Sequence, residues 1–111
     1  MKFTAINQNS TFVKGYRKGR CFVHGLVVVY VLKNKLGRVR IGITSSKKIG
    51  GAVVRNRARR VIREAVRASG LRLDQGYDLI FVARSRTARS KSTRLIAPIR
   101  KAFRQAGVAC D

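Results

Sequence analysis

Residues 47–64 read KKIGGAVVRNRARRVIRE, and this stretch decides the fold. Two glycines precede a run in which apolar residues recur every three or four positions, which is the spacing of one buried face of an α-helix. Six arginines lie between Arg55 and Arg67, against a single acidic residue. We therefore expect a helix from about Gly51 to Ala68 that packs one apolar stripe on a core and turns a dense arginine surface outward.

The arginines of this helix divide into two groups when residues are placed at about 100° each around the axis. The core stripe is predicted to contain Val54, Ala58, Val61, Ile62 and Ala65. Arg59 and Arg63 lie one turn apart on one flank, whereas Arg57 and Arg60 lie further round, with Asn56 between the groups. The helix thus offers two basic surfaces, and two separate segments of nucleic acid could be contacted at once.

The charge of the whole chain favours the same class of partner. Lys and Arg number 26 against 4 Asp and Glu, which gives a formal net charge of +22 and an isoelectric point near 11.9. A surface this cationic repels itself unless a polyanion covers it, and nucleic acid is the natural polyanion. The alternative is a solvated charged face, but arginine dominates the helix and makes planar bidentate contacts to phosphate.

The remaining patterns predict an α+β fold with helices packed on a sheet. At 111 residues and 45% hydrophobic content, residues 1–111 are expected to form one domain. The expected elements are a helix from about residue 9 to 16 with capping side chains at Asn9, Ser10 and Thr11, strands at 21–23, 26–32 and 38–45, the arginine helix, a strand at 77–83 and a helix at 93–106. Strands 26–32 and 38–45 are expected to pair as an antiparallel hairpin. Pro98 is tolerable only in the first turn or two of the last helix.

Three aromatic residues lie outside the predicted helical stripes. Phe12 and Tyr16 are four residues apart and share a helix face, and Tyr30 lies on a strand. If these elements are neighbours, the three rings, Arg59 and Arg63 would line one cleft. A basic groove floored with aromatic rings suits single-stranded nucleic acid, whose bases can stack. The alternative, that all three rings simply pack in the core, remains open on sequence alone.

The chain lacks the residue patterns of an unaided enzyme. Its acids are Glu64, Asp74, Asp78 and Asp111, and only two of them are near in sequence. Metal-dependent nucleases need clustered carboxylates, and the lone His24 has no evident partner for acid–base work. The patterns of a P-loop, HExxH and GxSxG are missing. If the protein works in a catalytic complex, another component must carry the catalysis.

The cysteine content and the hydropathy of the chain indicate its cellular compartment. Cys21 and Cys110 lie near opposite ends without metal-ligand spacing, so two reduced thiols are expected. The first residues lack the apolar run of a signal peptide. The longest apolar run, residues 26–32, is far shorter than the roughly 20 residues of a membrane helix. We expect a cytoplasmic protein with no membrane partner.

Residues 46–64 closely resemble the hallmark of the bacterial ribonuclease P protein subunit. The core of the resemblance is the RNR element, Arg55, Asn56 and Arg57, followed by further arginines at 59, 60 and 63. Phe12 and Tyr16 are similar to the two aromatic residues of that family's first helix. Residues 38–44 and 77–84 are similar to two of its strands. The resemblance spans roughly residues 7–106.

The resemblance implies an α/β sandwich in the order α-β-β-β-α-β-α with a left-handed βαβ crossover, similar to the second domain of a small-subunit ribosomal protein. It implies that a catalytic RNA cleaves the 5′ leader from precursor tRNA with Mg²⁺, which is bound mainly by the RNA component and substrate. The protein would assist as a non-catalytic monomer, one per ribonuclease P RNA.

The family's functional residues carry over onto two sets. The residues implied to bind the catalytic RNA are Arg55, Asn56, Arg57, Arg60, Lys47 and Lys48. The residues implied to line the cleft for the single-stranded leader are Phe12, Tyr16, Tyr30, Arg59 and Arg63. No residue is assigned to a protein-held metal ion. This division agrees with the two surfaces placed on the helix above.

Two other classes of protein would share the charge and size. A structural protein of the ribosome would bind ribosomal RNA stably and would not affect tRNA processing. A helix-turn-helix or histone-like DNA-binding protein is a weaker alternative, because no second short helix is joined tightly to the arginine helix.

Overall fold

The computed structural model describes residues 4–111. Five strands form one mixed sheet, and three α-helices pack on it. The strands are β1 (Thr4–Ala5), β2 (Arg20–Val23), β3 (Val27–Lys33), β4 (Arg40–Thr44) and β5 (Tyr77–Ala83), and the helices are α1 (Asn9–Lys18), α2 (Ala52–Ala68) and α3 (Thr93–Ala106). Short 3-10 turns occur at Lys47–Ile49 and Thr87–Arg89. Residues 1–3 lie outside the described residues. The expectation that the chain has no signal peptide includes them and stays a prediction there.

The sheet is ordered β1-β4-β5-β3-β2, with β5 at its centre. β5 runs antiparallel to β3, where Phe81 lies opposite Val29, and parallel to β4, where Ile80 lies opposite Gly42. The α+β class is confirmed, as is the order of elements from α1 onward. β4, α2 and β5 form a parallel crossover unit, and a connection of this kind needs the long helix that the sequence supplies.

The predicted hairpin between the second and third expected strands is wrong, because β5 lies between β3 and β4. Residues 78–81 are all buried, and a strand covered on both faces belongs in the middle of a sheet. The connection between β3 and β4 steps across this strand and hydrogen-bonds to the segment that enters β5. The Asn34 N–H donates to the Gly76 carbonyl, and the Val39 N–H donates to the Leu73 carbonyl.

The amino-terminal part of the chain departs from the expectation in two further ways. β1, which was not predicted, pairs in parallel with β4 over two residues, too short a stretch to show a strand pattern. α1 continues to Lys18, and its start at Gln8 carries no side-chain capping hydrogen bond. The predicted capping role of Asn9, Ser10 and Thr11 is therefore wrong. Gly19 follows the last residue of α1, as expected.

One face of the sheet is covered by α2 and α3, and the main core lies between them and the strands. Of the predicted α2 stripe, four residues are buried, but Val54 is 37% exposed. Val54 is in the first turn of α2 and packs against the Gly50 turn instead of the core. Val66, which was not predicted, is fully buried. α3 continues through Pro98 in its second turn and ends at Ala106, and the next residue, Gly107, adopts a left-handed conformation.

The other face is covered in part by α1, which approaches the sheet closely at two glycines. A Cβ atom on Gly15 would collide with the Ile80 side chain, and a Cβ atom on Gly42 would lie 2.5 Å from Cε1 of Phe12. These contacts bring α1 down on β4 and β5. They set the position of Tyr16, one residue beyond Gly15 on the helix.

Replacement of Gly42 by Ala is expected to destabilise the fold. The added methyl group overlaps the Phe12 ring, so the ring or α1 must shift, at a cost of about 1–3 kcal/mol. Urea denaturation followed by circular dichroism measures the loss. Gly51→Ala is the matched control, because open space surrounds that position. Its cost should stay below about 1 kcal/mol, and equal losses for the two variants would contradict the close approach of α1.

Asp78 is the second residue of the central strand and is 4% exposed. Arg40 donates from Nε and Nη2 to its two carboxylate oxygens, at 2.8 and 2.7 Å, and Asn34 donates from Nδ2 to Oδ1 at 2.8 Å. Burial raises the pKa of Asp78, but the hydrogen bonds from Arg40 and Asn34 outweigh it, so the pKa lies below its ordinary value. This ion pair joins β4, β5 and the loop that connects β3 to β4.

The Asp78 ion pair should make stability depend on pH in the acid range. Because the pKa of Asp78 is lowered in the folded state, its contribution is complete above the unfolded value near 4 and is lost as pH falls below it. Asp78→Asn should cost about 2–4 kcal/mol at pH 7, and the difference should shrink toward pH 2. Urea titrations at several pH values measure it. Asp74→Asn, at an exposed pair with Arg72, should change little.

Candidate nucleic-acid interface

The outer surface of α2 carries the arginines as the helical spacing predicted. Arg57, Arg60 and Arg63 are exposed, and none of them makes a hydrogen bond or ion pair within the part of the chain that the structure describes. Among residues 4–111, the two ion pairs are Arg40 with Asp78 and Arg72 with Asp74. The guanidinium groups of α2 are therefore not neutralised by the protein and are available to a polyanion.

Arg59 is the exception, because the protein holds it in place. Its Nη1 donates to Oγ of Ser45 at 3.2 Å, and its Nη2 donates to Oδ1 of Asn56. Ser45 Oγ in turn donates to the Arg55 carbonyl at 3.4 Å. These bonds direct Arg59 toward the carboxyl end of β4 and hold it against Asn56.

The three aromatic residues form one cluster on the α1 side of the sheet. The Tyr16 and Tyr30 rings meet edge to face with centroids 5.0 Å apart, and the Phe12 centroid lies 6.5 Å from that of Tyr16. Tyr16 is 40% exposed, and Phe12 and Tyr30 are partly exposed. The rings are not part of the main core, so the alternative of purely structural aromatics does not hold for Tyr16.

The cluster and the arginine helix meet at the end of β4. The Tyr16 hydroxyl lies 3.4 Å from Oγ1 of Thr44, and Arg59 contacts the next residue, Ser45. Tyr16 and Arg59 thus contact successive residues of one segment. Arg63 makes no such contact, so its assignment to the cleft rests on its spacing of one turn from Arg59.

A depression with a volume of about 610 Å³ lies on the outer face of α2. It is lined by Val53, Asn56, Arg57, Arg59, Arg60 and Arg63. Most of the set implied to bind the catalytic RNA is exposed here or beside it, including Lys47 and Lys48 in the turn before α2. Arg55 is different, since it is half-buried and its Nε has no hydrogen-bond partner among the described residues.

Tyr30 is uncharged within the cleft. Its pKa is raised, first by a hydrogen bond with the Cys21 side chain and then by burial. Cys21 lies opposite Tyr30 on the neighbouring strand β2. A neutral phenol does not repel phosphate, so the ring can act as a stacking surface at physiological pH.

A third basic segment, residues 84–91, follows β5 and was not predicted from the sequence. Arg84, Arg86 and Arg89 are exposed here, and the Thr87–Arg89 turn packs against α2. Four cations and no acid in eight residues could have identified it. It extends the cationic surface beyond the start of α2.

The donor groups of the protein do not fit a magnesium site. Within residues 4–111, no three His, Cys, Asp or Glu side chains are grouped closely enough to hold a metal ion. Asp78 and Asp74 are engaged by arginines, and His24 accepts the Leu26 N–H at Nδ1 in a turn, a structural role. No helix among the described residues has the length and hydropathy needed to cross a bilayer.

The fold and the site define a basic α+β protein with exposed arginines along the outer face of one helix and an aromatic cluster on the α1 side of the sheet. Residues 1–107 match the sequence model of the family described as Ribonuclease P. The ribonuclease P protein component of Clostridioides difficile is 44% identical over 80 residues, which cover 71% of this chain and 70% of that protein. That of Clostridium acetobutylicum is 37% identical over 110 residues, which cover 97% and 92%.

Solved structures give the same result. The RNase P protein of Staphylococcus aureus superposes with a TM-score of 0.77 at 32% identity, covering 96% of this chain and 98% of that chain. The RNase P protein of Thermotoga maritima has a TM-score of 0.75 at 20% identity, which supports the fold. The chain belongs to the ribonuclease P protein family.

Proposed function

We propose that the chain is the protein subunit of ribonuclease P and binds the catalytic RNA through the outer face of α2. The observation that carries this proposal is the set of exposed arginines on α2 that have no partner within the described residues. Arg57 and Arg60 would contact RNA phosphates, with Asn56, Lys47 and Lys48 beside them. Arg55 would contribute from a half-buried position.

The aromatic cluster would hold the single-stranded 5′ leader of precursor tRNA. Stacking on an exposed ring is worth about 1–3 kcal/mol per base and tolerates any sequence. Tyr16, with Phe12 and Tyr30 beside it, supplies the rings, and Arg59 and Arg63 would supply phosphate contacts. Affinity would therefore be greater for precursor than for mature tRNA, since mature tRNA has no leader.

Catalysis would belong to the RNA component. The protein offers no carboxylate cluster for Mg²⁺ among its described residues, so the ions would be held by the catalytic RNA and the substrate. A cationic protein beside the cleavage site would neutralise phosphates and lower the Mg²⁺ concentration that the reaction needs. One protein monomer would act with each catalytic RNA.

Reconstitution tests the proposed function directly. The purified chain is added to ribonuclease P RNA and precursor tRNA at a low Mg²⁺ concentration, where the RNA alone is slow. Faster release of the 5′ leader is expected. Stable binding to ribosomal RNA with no gain in cleavage would instead favour a ribosomal structural protein.

A further inference from the structure

An apolar groove of about 310 Å³ lies between the first turns of α2 and the Thr87–Arg89 turn. It is lined by Ile49, Val53, Val54, Arg57, Ser85, Ala88 and Arg89. Val53 is 77% exposed, the highest value among the large apolar side chains of residues 4–111. Single exposed apolar residues are ordinary, but a concave group of four inside a cationic surface indicates a ligand with an apolar part.

The charges around the groove restrict the ligand. Arg57 lies on the α2 side and Arg89 on the opposite side, and both are exposed. A phosphate group alone would be satisfied by the arginines and would gain nothing from the valines. A nucleic-acid duplex keeps its bases stacked inside and offers only its backbone and groove edges. An unpaired nucleotide has both an apolar ring face and flanking phosphates, so it matches the whole groove.

Hydrogen bonds anchor one wall of the groove, the Thr87–Arg89 turn, to neighbouring segments of the chain. The Thr87 hydroxyl donates to the Leu26 carbonyl at 2.6 Å and accepts the Arg84 N–H at 2.8 Å. Thr87 and Ala88 are buried, so the turn is anchored to the sheet. Little rearrangement is needed before a base can enter, and a preformed site loses less entropy on binding.

We propose that this groove takes one unpaired nucleotide of the catalytic RNA, with the base against Val53 and Val54 and the adjacent phosphates at Arg57 and Arg89. The proposal rests on the proposed function, because it assumes that the outer face of α2 binds ribonuclease P RNA. It adds a contact with a base to a surface otherwise described by phosphate contacts alone. It also gives the basic segment 84–91 a role.

Two variants test the groove without a change of charge. Val53→Thr keeps the shape of the side chain but replaces one methyl group with a hydroxyl, and Ser85→Trp fills the groove. Val23→Thr is the matched control, since Val23 is 69% exposed on β2, far from α2 in the sheet order. Filter binding measures the affinity of each variant for ribonuclease P RNA and for a fully paired RNA duplex.

Val53→Thr is expected to weaken binding to ribonuclease P RNA about three- to tenfold, and Ser85→Trp tenfold or more. Val23→Thr should bind like the unaltered protein, and Val53→Thr should not weaken duplex binding. At an exposed position with unchanged shape, Val53→Thr decides the matter even if Ser85→Trp fails to fold.

Unchanged affinity of Val53→Thr for ribonuclease P RNA would overturn the groove assignment. So would an equal loss on the duplex, which offers no unpaired base. If Arg57→Ala still weakened binding in that case, the proposed function would stand and the groove alone would fall. Failure of the unaltered protein to bind ribonuclease P RNA would overturn the proposed function and the groove assignment together.

Discussion

Arg57→Ala is expected to weaken binding to ribonuclease P RNA by about 10- to 100-fold. Arg57 is exposed, has no partner within the described residues and lines both depressions on the outer face of α2. Loss of one bidentate contact between arginine and phosphate accounts for a change of this size. Filter binding at several salt concentrations measures the loss of affinity. The slope of log K against log salt should become shallower by about the contribution of one phosphate contact.

Two further variants separate a specific contact from a general loss of charge. Arg57→Lys keeps the charge and loses the planar fork, so it should fall between the unaltered protein and Arg57→Ala. Arg94→Ala removes an exposed arginine from α3 and should have a small effect. Equal losses for Arg57→Ala and Arg94→Ala would show that net charge alone drives binding, against the proposed surface on α2.

Tyr16→Ala is expected to weaken binding of precursor tRNA to the assembled holoenzyme by about 5- to 150-fold, the range for one stacked base. Binding of mature tRNA should not change, because mature tRNA lacks the leader. Tyr16 is 40% exposed and contacts the Tyr30 ring, so its loss removes much of the cluster surface at little cost to the core. Equilibrium binding of the two tRNA forms gives the comparison.

Tyr16→Phe is the control for the aromatic ring. It keeps the ring and removes only the hydroxyl contact with Thr44, which spans 3.4 Å, so its binding should stay close to that of the unaltered protein. A loss shared equally by precursor and mature tRNA in Tyr16→Ala would contradict a role in leader binding. It would place the cluster against the body of the tRNA or the catalytic RNA.

The local patterns of the sequence predicted most of the fold. α2 begins at Ala52 and ends at Ala68 as its apolar period indicated, and β5 was predicted with its observed bounds. Both elements carry a periodicity or a β-branched run that sets their type without help from neighbours. The separation of the arginines into two groups is a prediction from helix geometry, and Arg59, Arg60 and Arg63 line one depression in the structure.

Features that depend on distant parts of the chain were not predicted. The place of β5 between β3 and β4 depends on which strand is best buried on both faces, and spacing along the chain does not show this. β1 consists of two residues that pair only because β4 is beside them. Val53 and Ala88 lie 35 positions apart in sequence, so their groove appears only once the fold is known.

We expect α2 to present two surfaces to two different RNA strands. Site-directed cross-linking tests this expectation. A photoreactive side chain is placed at Arg60 or at Arg63 in the complete complex of protein, ribonuclease P RNA and precursor tRNA. Position 60 is expected to cross-link to the catalytic RNA and position 63 to the leader. Cross-linking of both positions to the same RNA strand would contradict it.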